Sequence, residues 1–200
     1  MEDLDNEILD QEIIEVIWTG PYSWPKFEHQ NGLLSIPRQP GVYLQTFEYK
    51  GGYLIYAAGL TRRPIPVRFR EHTRNYMNGE YNVLDVGAIQ QGFRKEVWHG
   101  WGWSPEKQIE FEKHKSAIHN ALHKQLAEFR IFVAEVGTQI RVLERLEAAI
   151  MITLYEQPSP FCDIPDKGMM LAPRWDSEKP ILTENKVMAK LYGIPLRLEI

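Results

Sequence analysis

The sequence predicts an α+β domain: a small three-stranded antiparallel sheet packed with helices, with a helical insertion and an irregular C-terminal extension. Three observations predict it. Two runs rich in β-formers, Gly41 to Tyr49 and Tyr53 to Gly59, flank the turn Lys50-Gly51-Gly52 and read as a hairpin. A third apolar run, Phe129 to Val136, is closed by Gly137 and reads as another strand. Between and after these runs the apolar period is helical, as in Ile118, Leu122 and Leu126. The order β-β-α, insertion, β-α is that of a sheet with helices laid on it.

The elements follow in chain order. Residues 1–15 hold seven acids (Glu2, Asp3, Asp5, Glu7, Asp10, Glu12, Glu15) and no Lys or Arg, and Leu4, Ile8, Ile13 and Ile14 among them suit a short helix. Gly20-Pro21, Trp24-Pro25, Pro37 and Pro40 make residues 19–40 irregular. After the hairpin, Pro64 and Pro66 fit the first turn of a helix running to Asn78-Gly79. Residues 80–103 have no clear period. Ser104-Pro105-Glu106 then starts a helix to about 127, with a hydroxyl at the N-cap and an acid at the positive end of the dipole. Ile140 to Tyr155 is a further apolar helix. Residues 157–180 carry five prolines and read as loop, with a short helix expected near 183–192. The organisation expected is a leader and irregular segment over 1–37, a domain over 38–165 with its insertion at 79–127, and an extension over 166–200 packed on the same domain.

Hydrophobic residues are 44% and charged residues 25% of the chain, which excludes collagen-like, coiled-coil-only and fully disordered classes. No apolar run spans a bilayer, and the acidic start is unlike a basic signal or transit peptide. The single cysteine, Cys162, excludes an internal disulfide and a multi-cysteine zinc cluster. A soluble, cytoplasmic protein is expected. Removing the seven leader acids from 27 leaves 20 acids against 23 basic residues, so the net charge of -4 does not argue against an anionic ligand.

Three features carry chemistry. Glu147 has Leu143, Ile150, Met151 and Leu154 as helical neighbours, so its carboxylate either reaches water at a rim, with a base such as Arg141 for company, or binds a cation. Arg62, Arg63, Arg68, Arg70 and Arg74 accompany one acid, Glu71, over residues 62–74, and Arg68 shares a helix face with His72. That is either a solvated basic helix or a phosphate-contacting surface. Tyr43 and Tyr56 lie on the paired strands, where tyrosine usually packs. Trp98, Trp101 and Trp103 alternate with His99, Gly100 and Gly102; a packed aromatic corner is the default, and stacking on bases the functional alternative. For His119 and His123 the default is a solvated helix face, and for Cys162 a buried thiol.

Taken in order, Gly41-Val42-Tyr43, then Tyr56-Ala57-Ala58-Gly59 leading into Thr61, then Arg68 and His72 on a helix, then Glu147 after a further strand, resemble the GIY-YIG nucleases over about residues 38–165. The family's second tyrosine falls at Ala57, so Tyr56 joins the site only if a β-bulge turns it to the face of Tyr43. The family's asparagine after the glutamate helix has no counterpart; Asp163 is the candidate substitute, and Asn185 lies too far along. The resemblance implies a metal-dependent endonuclease, most directly on DNA. Tyr43 would position or activate water, Arg68 would stabilise the phosphate, Glu147 would bind one Mg²⁺ or Mn²⁺, and His72 and Tyr56 would complete the catalytic set. Arg62, Arg63, Arg70, Arg74 and Trp101 would contact nucleic acid, with a homodimer an option for double-strand cutting. The other reading is a non-catalytic nucleic-acid- or protein-binding module on the same scaffold. Convergence of Tyr43, Arg68, His72 and Glu147 on one concave surface is what the nuclease reading expects.

Overall fold

A computed structural model describes residues 13–102 and 104–200. The acidic leader up to residue 12 and Trp103 lie outside the described residues. Strands β2 (Gly41–Tyr49), β3 (Gly52–Thr61) and β6 (Arg130–Ala134) form the antiparallel trio that the hairpin and the third apolar run predict. The sheet, however, has seven strands in the order β8-β3-β2-β6-β1-β7-β9. It is mixed: β1 (Ile13–Ser23) runs antiparallel to β6 and parallel to β7 (Leu182–Val187), and β8 (Leu191–Tyr192) runs parallel to β3. β9 (Arg197–Glu199) closes the far edge against β7.

The small three-stranded sheet with an irregular C-terminal extension is therefore corrected. All five residues of β6 are buried, and its second edge is covered by β1. In β1 the period is two: Val16 and Trp18 are buried while Ile13, Glu15 and Ile17 face outward. An acid-rich, helix-like composition hid that alternation. Residues 183–192, expected as a helix, are instead most of β7 and all of β8. The buried positions of β7 are Thr183 and Asn185, so it carries little apolar signal and forms because β1 offers it an edge. Residues 19–40 include the second half of β1 and the single turn α1 (Glu28–Asn31).

The expected helices are α2 (Ile65–Met77), α4 (Pro105–Glu128) and α5 (Ile140–Tyr155). Ser104 caps α4, its hydroxyl accepting from the Lys107 amide at 3.2 Å. The stretch without a period holds β4 (Val83–Leu84), α3 (Val86–Gln90) and β5 (Glu96–Trp98). The sheet separates two cores. Tyr43, Phe47, Tyr56 and Ile131 pack on one face with α2 and α4. Val42, Leu44, Ile55 and Phe132 pack on the other with α5. Fully buried Trp24 stacks on Phe129 at 5.3 Å, meets Phe69 of α2 edge-on, and donates Nε1 to Thr73 Oγ1 at 2.9 Å. These contacts fix α2 against the sheet. Among the described residues no helix is long and apolar enough to cross a membrane.

Candidate active site

β8 pairs only with Tyr53 and Leu54, so among the described residues the rest of the outer edge of β3 has no strand beside it. There Ala57, Ala58, Gly59 and Leu60 line a cleft of about 400 Å³. The edge is partly blunted, since Tyr56 O accepts from the Asp166 amide at 2.8 Å and the Ala58 amide points at Met151 Sδ at 3.1 Å. Helices α2 and α5 pack on opposite faces of the sheet, and both reach over this edge. Tyr43, Tyr56, Arg68, His72 and Glu147 accordingly line the one cleft.

Each side chain is placed by a local feature. Tyr43 lies opposite Gly59, and a Cβ at position 59 would sit 2.3 Å from the Tyr43 hydroxyl, so that glycine makes room for the ring. Tyr56 is the extra residue of a β-bulge: Gln45 pairs with Ala57 and Thr46 with Ile55, leaving Tyr56 without a partner. The bulge sets both Tyr56 and Ala57 on the face that carries Tyr43. His72 is buried with Ile65, Phe69 and Tyr76 on one stripe of α2, and Arg68, one turn earlier, emerges at the cleft. Glu147 is half-buried on α5, with Glu144 beside it in the cleft wall.

The Tyr43 hydroxyl is 2.6 Å from His72 Nε2, and His72 Nδ1 is 3.3 Å from the Tyr81 hydroxyl, which also accepts from Asn75 Nδ2 at 3.0 Å. Burial and the charge of Arg68 push the His72 pKa down to about 3. The ring is neutral, so it donates to one tyrosine and accepts from the other. Burial raises the Tyr43 phenol well above its ordinary value, against the opposing pull of Arg68. Burial likewise raises Glu147 to about 7, with Arg68 opposing and Glu144 reinforcing the shift. Arg68 pairs with Glu71 at 3.2 Å, and Glu71 also takes Arg63 at 2.9 Å.

The sequence does not mark Asp166 or Tyr81 as site residues. Asp166 is buried and its carboxylate accepts from the Tyr56 hydroxyl at 3.0 Å, Trp101 Nε1 at 2.8 Å, Asn82 Nδ2 at 3.4 Å and the Gly168 amide at 3.3 Å. It ties β3, the tryptophan loop and the C-terminal segment into one wall. No local pattern in the proline-rich stretch marks it; only the fold brings its four donors together. Trp101 is thereby part of the cleft wall, while Trp98 donates to Gly79 O at 2.8 Å and packs on Phe111. Arg62, Arg63, Arg70 and Arg74 are exposed on or just before α2 and do not line the cleft. Asp163 is exposed outside it, and Asn185 is buried in β7, accepting from Trp18 Nε1 at 3.0 Å. His119 donates to the Met77 carbonyl at 3.0 Å and His123 packs edge-on to Phe27, both away from the cleft.

Arg68 is the one cationic side chain in the described lining, against the carboxyl groups of Glu144, Glu147 and Asp166. A phosphate entering alone would meet more negative than positive charge. A divalent cation at Glu147 would reverse that, and a carboxylate whose pKa burial has raised is one that gains by acquiring a cation. Mg²⁺ is commonly held through one or two carboxylates and keeps most of its waters; among the described residues no group of three or more His, Cys, Asp or Glu is placed to hold a metal ion. Comparison with family models, with curated proteins and with solved structures finds no match for the chain.

Proposed function

We propose that this chain is a metal-dependent endonuclease of the GIY-YIG kind, hydrolysing phosphodiester bonds, most directly in DNA. The observation that carries the reading is the meeting of Tyr43, Tyr56, Arg68, His72 and Glu147, from two strands and two helices, in one cleft. Arg68 donates to a non-bridging phosphate oxygen, and its pairing with Glu71 holds the guanidinium in place for that contact. Tyr43 orients the attacking water, with its hydroxyl held by His72. Tyr56, its hydroxyl committed to Asp166, shapes the floor rather than moving a proton. Glu147 would hold Mg²⁺ or Mn²⁺, which supplies Lewis acidity at the phosphate and the leaving oxygen and draws the Tyr43 phenol toward its ionised form. The exposed Arg62, Arg63, Arg70 and Arg74 give flanking phosphates a landing surface. The setting is cytoplasmic, with nucleic acid as partner and a homodimer where both strands are cut.

A second reading, a binding module without catalysis, is favoured by one observation. The Tyr43 pKa is raised and the His72 pKa is lowered by burial, so neither is a ready base near neutral pH. The deciding experiment incubates the purified chain with labelled DNA and RNA of varied structure in Mg²⁺ or Mn²⁺. Cleavage should be silenced by a chelator and should fall about a thousandfold in Glu147→Gln while binding persists. Binding without cleavage under every condition would select the module; full activity in Glu147→Gln would reject the assigned metal ligand.

A further inference from the structure

The side chain of Gln45 is not used by the mechanism above. It lies two residues beyond Tyr43 on the same face of β2, about 6–7 Å along the strand. It lines the same cleft and is 5% exposed. Its Oε1 is buried with no hydrogen-bond partner among the described residues. An orphaned buried acceptor costs about 1–3 kcal/mol, and native structures keep few of them.

The bulge explains why this amide lies beside the cleft. Gln45 pairs across the ladder with Ala57. Ala57 stands where the resembled motif has its tyrosine, while Tyr56 has moved to the bulge position and turned its hydroxyl to Asp166. A methyl group therefore lies opposite Gln45 in place of a phenol ring, and the cleft reaches the amide. The terminal torsion of glutamine is broad and roughly two-fold, so rotation about it lets Oε1 turn toward the space its own side chain lines.

We infer that Gln45 is a positioning residue for the attacking water, holding it jointly with Tyr43. A water that donates one hydrogen to Gln45 Oε1 and the other to the Tyr43 oxygen has its lone pair free to face a phosphorus held by Arg68. Glutamine orients attacking water in this way in other phosphoryl-transfer sites. As the water oxygen bonds to phosphorus the ester P–O bond breaks; one water proton passes to solvent and the departing oxygen takes one up. The inference rests on the nuclease reading, but the water site itself can be seen without turnover.

Two measurements test it. A crystal structure of the ligand-free protein should show an ordered water within hydrogen-bond distance of both Gln45 and Tyr43; a dry or apolar-filled floor overturns the inference whatever the activity. Gln45→Met keeps the length and removes the amide, so it should leave KM for a labelled oligonucleotide unchanged and lower kcat about a hundredfold. Gln45→Glu, which keeps an acceptor, should recover much of that loss. Equal kcat in wild type and Gln45→Met would overturn the inference and leave the nuclease reading standing. A bound water in a protein that cleaves nothing would reject the nuclease reading and, with it, the role given to Gln45. A purely structural glutamine would change melting temperature without dividing kcat from KM.

Discussion

Replacing Glu147 by Gln removes a carboxyl whose pKa burial has raised from 4.5 to about 7. Between those values the folded protein binds a proton that the unfolded chain has lost. The stability this group contributes is therefore fully present below about pH 4.5 and is lost as pH rises through 7. A shift of this size is worth about 3 kcal/mol at 1.36 kcal/mol per unit, and about 2–3 after allowing for the half-buried position. Glutamine keeps the size and drops the titration. The melting temperature of Glu147→Gln should match wild type near pH 4.5 and exceed it by roughly 5–10 °C at pH 8, using about 2–4 °C per kcal/mol for a chain of this length. The assay is thermal denaturation of both proteins in chelator across pH 4.5–8. Acid destabilisation from His72 is common to both and cancels in the difference. Millimolar Mg²⁺ at pH 8 should then raise the wild type and leave the variant unmoved, since only a carboxylate gains from the ion. A difference that does not vary with pH, or a variant less stable at pH 8, would refute the argument that burial raises this carboxyl.

Gly59→Ala should destabilise the fold by about 1–3 kcal/mol and abolish cleavage, because the new methyl would lie 2.3 Å from the Tyr43 hydroxyl; chemical denaturation and a cleavage assay read both effects. Asp166→Ala strands the donors of Tyr56, Trp101 and Asn82, for an expected loss of about 2–4 kcal/mol and a red-shifted tryptophan emission; unchanged emission would mean that Trp101 stays seated without its carboxylate. His72 is held neutral with its pKa near 3, so the stability it contributes is present above pH 6.5 and falls away as the pH drops toward 3; His72→Gln should flatten the acid limb of the stability curve. Arg70→Gln with Arg74→Gln should weaken DNA binding and lower the salt slope by about one to two without altering melting temperature, whereas an unchanged slope would place DNA elsewhere.

The helices and the central hairpin were legible because their signals are local. Ser104-Pro105-Glu106 marks the start of α4 through a cap and a dipole, and Gly41-Val42-Tyr43 with Gly59 carries the close packing of β2 on β3 in its own residue types. Of the candidate site residues only Glu147, set among Leu143, Ile150, Met151 and Leu154, stands out within its own element; Tyr43, Arg68 and His72 are ordinary one at a time and are singled out by their order along the chain. The outer strands were not legible. β1 and β7 are far apart in the chain, and each is a strand because distant segments supply its hydrogen bonds, β6 and β7 on either side of β1 and β1 and β9 on either side of β7; Thr183 and Asn185 are buried by these partners rather than by their own hydrophobicity. Tertiary structure alone also decided the face of Tyr56, because a bulge is a property of the pairing between β2 and β3 and one unpaired residue reverses a side chain. It alone gathered Tyr56, Asn82, Trp101 and Gly168 on Asp166, and left Gln45 Oε1 without a partner among the described residues. The sequence by itself determined which residues were available for chemistry. The free edge of β3, where helices from both faces of the sheet overhang one cleft, decided which of them meet.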